Sequence, residues 1–139
     1  MDAMPFLTFQ PTRGAGAAEA METYVGLFTD GRIIFDRRRG PDDGPGEGTV
    51  FLAEFTVAGQ RIRCSDSVVE HAWNFTPAVS IWVSCDDATE QQRLFDALGD
   101  GGLAHMPIDD YGFGRFGWVQ DRFGINWQLA LSDSDDPPS

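Results

Sequence analysis

Few side chains in this chain could do covalent chemistry. Every basic residue is an arginine, ten in all with no lysine, which removes Schiff-base chemistry and a lysine general base. The two histidines, His71 and His105, are not at metal-ligand spacing. His105 falls on a strand of the second half, where a structural or surface role is the plain reading and a place on a cleft wall the alternative. His71 falls in the bridge between the halves and reads as exposed. Asp86-Asp87 and Asp109-Asp110 are adjacent pairs, suited to a helix start and a turn, and give no opposed geometry for an acid and a base. What remains is an alternation. Ser80 and Trp82 share one face of a strand, and Asn126 and Gln128 share one face of another. If Val79, Ile81, Trp127 and Leu129 pack under helices, those four side chains look into open space. Phe116 and Trp118 would then supply a wall, and Tyr111 and Phe113 a rim. Aromatic walls with a few amides suit a small organic ligand; the alternative is a filled, satisfied interior with no ligand.

The elements that position these residues come from periodicity. Pro5 to Gln10 reads as a short strand, followed by a Gly- and Pro-rich loop. Ala17 to Phe28 has helical spacing, with Ala17, Ala20, Met21, Tyr24, Val25 and Phe28 on one stripe. Arg32 to Arg38 predicts a strand with Ile33 and Phe35 on one face. Gly40 to Gly48 is a loop, and Phe51 to Cys64 reads as a hairpin. Pro77 to Cys85 opens a second unit as a strand, Asp86-Asp87 starts a helix that runs to about Leu98, and Gly99 to Gly102 stops it. A strand near Leu103–Ile108 and a turn over Asp109–Gly112 lead to a second hairpin, Phe116 to Leu129. The order strand, helix, three strands thus occurs twice, over about 5–65 and 77–131. A single unit leaves a sheet face uncovered, so the pair predicts one domain, residues 1–131, with a curved mixed sheet of about eight strands, helices outside and a concave cleft.

A chain of 139 residues fits one domain that buries roughly two thirds of its unfolded surface. No apolar run approaches the ~20 residues of a membrane span, and the N-terminus lacks the basic start and apolar stretch of a signal peptide. Net charge is −12, which opposes nucleic-acid binding. Cys64 and Cys85 are too few for a disulfide framework and read as buried free thiols. These features predict a cytoplasmic protein with neither membrane nor nucleic-acid partners. Arg37-Arg38-Arg39 is a positive patch, either a solvated strand end or a dimer contact. The tail, 132–139, is acidic and Ser- and Pro-rich and reads as disordered.

Ala18-Glu19-Ala20-Met21 with Tyr24, Phe75-Thr76-Pro77-Ala78-Val79-Ser80 and Gly117-Trp118-Val119-Gln120-Asp121-Arg122-Phe123-Gly124-Ile125-Asn126-Trp127-Gln128-Leu129 together resemble the vicinal oxygen chelate superfamily, with its glyoxalase, bleomycin-resistance and dioxygenase relatives. The closer likeness is to its PhnB-like branch, often labelled 3-demethylubiquinone-9 3-methyltransferase. No Gly-rich loop after a strand marks an adenosylmethionine site, and the repeat is not a doubly wound sheet. The resemblance implies an α+β fold of two βαβββ modules. It also implies a divalent metal on His, Glu or Gln at inward strand positions. Carried over, the mid-chain His position falls at Ser80 and the C-terminal Glu position at Gln128. The ligand ending the first half falls near Arg63 or Cys64, and the first strand offers Thr8 or Gln10. One amide and one serine do not make the shell that Zn, Fe or Mn requires. The expectation is a site without metal or cofactor, formed by Ser80, Trp82, Phe116, Trp118, Asn126 and Gln128, that binds a small organic ligand. The alternative is a metal-dependent lyase, isomerase or dioxygenase of the superfamily's usual kind. A homodimer is expected because sheets of this kind expose edges and apolar rims.

Overall fold

Ala17, Ala20, Met21 and Tyr24 recur on one helical stripe, and all four are buried in α1 (Ala17–Leu27). Phe28 is the extended residue that ends the helix, and it is buried there as well. Gly16 at the start of α1 offers no side-chain cap. The cap comes from Asp66, at the end of β4 (Gln60–Asp66), which accepts from Ala17 N at 2.8 Å and from Val50 N at 2.9 Å. Asp66 is itself buried, so both amides depend on it for a partner. A Cβ on residue 16 would lie 2.9 Å from Asp66 Oδ1, so glycine is required there for room.

The computed structural model describes residues 1–132; beyond Ser132, the tail expected to be disordered lies outside the described residues. Two compact units divide the chain, one ending at Ala72 and the other beginning at Trp73. In the first, β1 (Phe6–Phe9), β2 (Arg32–Arg38), β3 (Val50–Val57) and β4 form a sheet in the order β1-β4-β3-β2. In the second, β5 (Ser80–Cys85), β6 (Leu103–Asp110), β7 (Arg115–Gln120) and β8 (Asn126–Leu131) form a sheet in the order β5-β8-β7-β6. In each sheet the first strand runs parallel to the last, and the other pairings are antiparallel. With α1 in the first unit and α2 (Ala88–Gly99) in the second, the chain is an α+β fold of two βαβββ units. Among the described residues, eight strands are hydrogen-bonded as two mixed sheets of four.

Asp87 caps α2, accepting from Glu90 N at 2.7 Å. Gln91, fully buried, ties the helix to the sheet: its Nε2 donates to the carbonyls of Arg115 and Leu129, each at 3.0 Å, and its Oε1 accepts from Arg115 Nε at 2.8 Å. The side of the second sheet that meets α2 follows from Gly117, where a Cβ would lie 2.9 Å from the Phe95 ring and 2.8 Å from Ile108. Gly117 pairs with Leu129, and Val119 pairs with Trp127. Leu129, Trp127, Val119 and Val83 therefore form the helix-side core, and all are buried. The hairpin between β7 and β8 is held by Asp121, which accepts from Phe123 N, Ile125 N and Trp127 Nε1 at 2.9, 3.0 and 2.9 Å.

Two local expectations are corrected. Register shifts between Ile33 and Phe35, so Ile33 pairs with Phe55 while Phe35 pairs with Glu54. Phe55 and Glu54 lie on opposite faces of β3, and so do Ile33 and Phe35. The strand expected to end at Ile108 runs on through Asp110, because Asp109 and Asp110 pair with Phe116 and Arg115. The turn is displaced to Tyr111–Gly114, where Asp110 Oδ1 accepts from Gly112 N at 2.8 Å and from Gly114 N at 3.3 Å.

Candidate functional site: the open face of the second sheet

Pairing register places Trp82, Gln128, Trp118 and Met106 in one row across four strands. Beside it run Ser80, Asn126, Gln120 and Leu103 on one side, and Ser84, Ala130, Phe116 and Asp109 on the other. All of them point away from the Trp127–Leu129 side. The six residues singled out in the sequence thus lie on one sheet face.

The polar groups of this face are largely spent on one another. Gln128 Nε2 donates to Ser80 Oγ at 3.2 Å, and Trp82 Nε1 donates to Ser84 Oγ at 3.1 Å. Asn126 Nδ2 donates to Gln120 Oε1 and Gly124 O, each at 3.4 Å. Trp118 Nε1 is the exception: it is shut away from solvent and meets no acceptor. An unpaired buried donor costs about 1–3 kcal/mol. The aromatic groups cluster around Phe116, which is itself buried. Trp82, 57% exposed, lies 5.8 Å from Phe116 between ring centres. Phe113 and Tyr111, from the β6–β7 turn, lie 5.3 and 6.3 Å from Phe116 between ring centres.

His105 joins this face by a route that sequence spacing does not show. Ala104 pairs with Val119 and Met106 with Trp118, so His105 is the extra residue of a β-bulge. The bulge turns its ring onto Trp118, at 4.8 Å between centres, and brings Nε2 to 2.9 Å from Asn126 Oδ1. Since the Asn126 amide nitrogen already donates elsewhere, its oxygen accepts here, and the proton sits on His105 Nε2. His71, read as exposed, is half-buried in the first unit, where its N–H donates to Gln10 Oε1 at 2.6 Å and its Nε2 lies 3.0 Å from Ser67 Oγ.

The corresponding face of the first sheet has a different character. Its central row is Phe6, Arg63, Glu54 and Phe35. Glu54 accepts from Arg61 Nε at 3.0 Å and Arg63 Nε at 2.8 Å, and these two hydrogen bonds hold its carboxyl below the usual range. Arg37 and Arg63 each lie over the Phe35 ring, 5.3 and 5.5 Å from its centre. Of Arg37-Arg38-Arg39, Arg38 pairs with Asp36 at 2.7 Å, and Arg39 Nη1 donates to Thr49 Oγ1, Val50 O and Asp66 O, so both are structural.

The positions where the superfamily resemblance puts metal ligands do not fit a divalent ion. Ser80 and Gln128 hydrogen-bond each other. Arg63 is ion-paired with Glu54. Cys64 is fully buried, and burial first, with the Asp66 and Asp36 charges behind it, pushes its thiol up to about 12. Gln10 is committed to His71 N. Among the described residues, no three His, Cys, Asp or Glu side chains gather as a group that could hold a metal.

Two mixed four-stranded sheets built from βαβββ units recur in solved structures that share this fold. One is a glyoxylase/bleomycin resistance protein/dioxygenase domain from Frankia sp. EAN1pec, with TM-score 0.61 and 14% identity over 96% of this chain and 99% of that one. Another is the fosfomycin resistance protein FosX from Mesorhizobium loti, with TM-score 0.53 and 15% identity over 96% of this chain and 94% of that one. The chain belongs to the 3-demethylubiquinone-9 3-methyltransferase family, whose sequence pattern matches residues 2–130. It is 38% identical to the PhnB protein from Bacillus cereus, with TM-score 0.87 over 95% of this chain and 100% of that one. Comparison with curated proteins found no match.

Proposed function

We propose that the open face of the second sheet binds a small, neutral organic ligand without a metal ion. The observation that carries this reading is the Trp82–Gln128–Trp118–Met106 row, with an exposed indole at one end and the half-exposed Gln128 amide beside it. Aromatic faces supply apolar contact, and a few fixed polar atoms orient what lies on them. An amide at residue 128 can both donate and accept, so it can hold a neutral polar group where a carboxylate would call for a balancing cation. We do not propose the methyl transfer in the family's description. The N-terminus of α1, which follows the Gly-containing loop after β1, is already filled by the Asp66 carboxylate, and neither sheet is doubly wound.

The test uses naphthalene as a flat apolar probe, followed by ligand-observed NMR on chelator-treated protein. Binding is expected to persist after chelation, to be unchanged by added Zn, and to be lost in Trp82→Ala. Binding that appears only when metal is restored, or that ignores Trp82→Ala, contradicts the proposal.

A homodimer and a cytoplasmic location belong to the same proposal. Ile33 and Ile34 on the edge strand β2 and Leu103 on the edge strand β6 are exposed, and apolar edges favour pairing with a second copy. No helix among the described residues is long and apolar enough to cross a membrane, and both cysteines are free. A net charge of −12 is unsuited to a nucleic-acid partner. Sedimentation equilibrium is expected to show a dimer at micromolar concentration; a monomer there excludes it.

A further inference from the structure

The open face of the first sheet is opposite in charge to the chain as a whole, whose net charge is −12. Pairing register sets Arg63 opposite Glu54, Arg61 and Arg32 on either side of Thr56, and Arg37 opposite Leu52. Leu52, Glu54 and Thr56 share one face of β3, so four arginines meet one carboxylate there. Glu54 is 3% exposed and orients two of them. It accepts from Arg61 Nε and Nη2 at 3.0 and 3.3 Å and from Arg63 Nε at 2.8 Å. The remaining Arg61 nitrogen, Nη1, faces Asp2 at 3.8 Å. Arg63 differs: neither of its Nη nitrogens has a hydrogen-bond partner among the described residues. Its Nη1–Nη2 edge, which fits two oxygens of one oxyanion, is left open on a side chain that is 38% exposed. The Thr8, Thr56 and Ser65 hydroxyls on the same face donate or accept and add no charge.

Arg37 brings a second cation to the same place. Its guanidinium carbon and that of Arg63 lie 5.3 and 5.5 Å from the centre of the Phe35 ring. The exposed Arg37 guanidinium makes no hydrogen bond or ion pair among the described residues. A cation–π contact at an exposed site is weaker than a charge-assisted hydrogen bond, so Arg37 can leave the ring for an anion. Phe6, half-exposed on β1, is the neighbour of Arg63 on the side away from Glu54.

We propose that this face binds an organic anion by its carboxylate or phosphate group. Two oxygens take the Nη edge of Arg63, Arg37 supplies the second positive charge, and the apolar body of the ligand lies against Phe6. Glu54 is a positioning residue, since it holds Arg63 by Nε and turns the other edge outward. The acidic side chains elsewhere do not prevent this, because charges more than about 8 Å away are screened at physiological salt. The site is built within the first unit and stands independently of the reading of the second sheet.

The test compares benzoate, phenyl phosphate and the neutral benzamide by ligand-observed NMR. Wild-type protein is expected to bind at least one of the two anions about tenfold more tightly than benzamide, as a charge-assisted hydrogen bond gives; the tighter anion tells carboxylate from phosphate. Raising sodium chloride from about 50 to about 500 mM should weaken the anion and spare benzamide. Arg37→Gln, at an exposed position, should weaken the anion about threefold to fivefold. Arg63→Lys keeps the charge but loses the fork, and should cost about tenfold; if it does not fold, Arg37→Gln still decides. Arg93→Gln removes the same charge from α2 and should change nothing. No binding of either anion, equal binding of all three probes, or equal losses in Arg37→Gln and Arg93→Gln overturns the proposal. Sedimentation showing that Arg37→Gln dissociates a dimer while anion binding is unchanged would make this face a contact between copies and overturn it as well.

Discussion

Gln128 Nε2 donates to Ser80 Oγ at 3.2 Å, joining β8 to β5 through side chains. These are the two positions where the superfamily resemblance places an acidic and an imidazole metal ligand. Here an amide and a hydroxyl hold each other, and neither brings charge. Gln128→Ala leaves Ser80 on a half-exposed face where water can replace the lost amide. It is expected to weaken binding of a small polar ligand by about 1 kcal/mol, as one net hydrogen bond gives. The urea midpoint should stay near wild type. A large fall in the midpoint would make Gln128 a structural residue.

Asp66 should be costly to lose. It serves two backbone amides, Ala17 N and Val50 N, from a buried position. Asp66→Ala is expected to destabilise the protein by about 2–4 kcal/mol, as cap loss and an orphaned amide together give. Asp66→Asn, which keeps one acceptor, should cost less. Urea unfolding of both variants measures the difference.

How much of this was legible follows from the range of each signal. The repeat of strand, helix and three strands is a local periodicity, and it led to two βαβββ units and to one shared sheet face for Ser80, Trp82, Asn126 and Gln128. The cap of α1 was not legible, because its acceptor lies 49 residues away and Gly16 shows only an absence. His105 was placed on its strand but left between two readings, since a bulge depends on how two strands pair rather than on either alone. The same limit explains Phe35, which simple alternation put on the face of Ile33. Gln91 gave no signal at all: a buried amide among exposed helix positions looks like any surface glutamine until its three partners are in place.

Gly117 is a position of close approach. A Cβ there would lie 2.8 Å from Ile108 and 2.9 Å from Phe95. Gly117→Ala is therefore expected to cost about 1–3 kcal/mol through overpacking, measured as a lower urea midpoint. Phe95→Leu in the same chain should recover part of it by making room. No change in either variant would mean that α2 packs more loosely than described.

Acid should weaken the first unit through Glu54. Its folded pKa is held below 4.5 by Arg61 first and Arg63 next. The ionised form is therefore favoured by folding, and its contribution is present above the unfolded pKa and fades as pH falls through the folded one. The gap in unfolding free energy between wild type and Glu54→Gln is expected to be constant from neutral pH down to about 5.5 and to shrink below about 4.5. A gap that does not change with pH would show that the ion pairs contribute nothing to stability.

Burial pushes the Cys64 thiol up to about 12 and that of Cys85 up to about 11. Both should stay protonated and resist iodoacetamide at pH 8 until the protein is unfolded. Rapid alkylation of Cys85 in the native protein would place it outside the helix-side core.

The central claim is that this family member uses its second sheet to hold an organic molecule and not a metal. Mass spectrometry of small molecules, together with elemental analysis of metals, on untagged protein purified without chelators tests it most directly. The expected result is a flat, neutral organic molecule that co-purifies with wild type and is absent from Trp82→Ala, with no stoichiometric Zn, Fe, Mn or Ni in either. Stoichiometric metal in the wild type, with no organic molecule, would contradict the account.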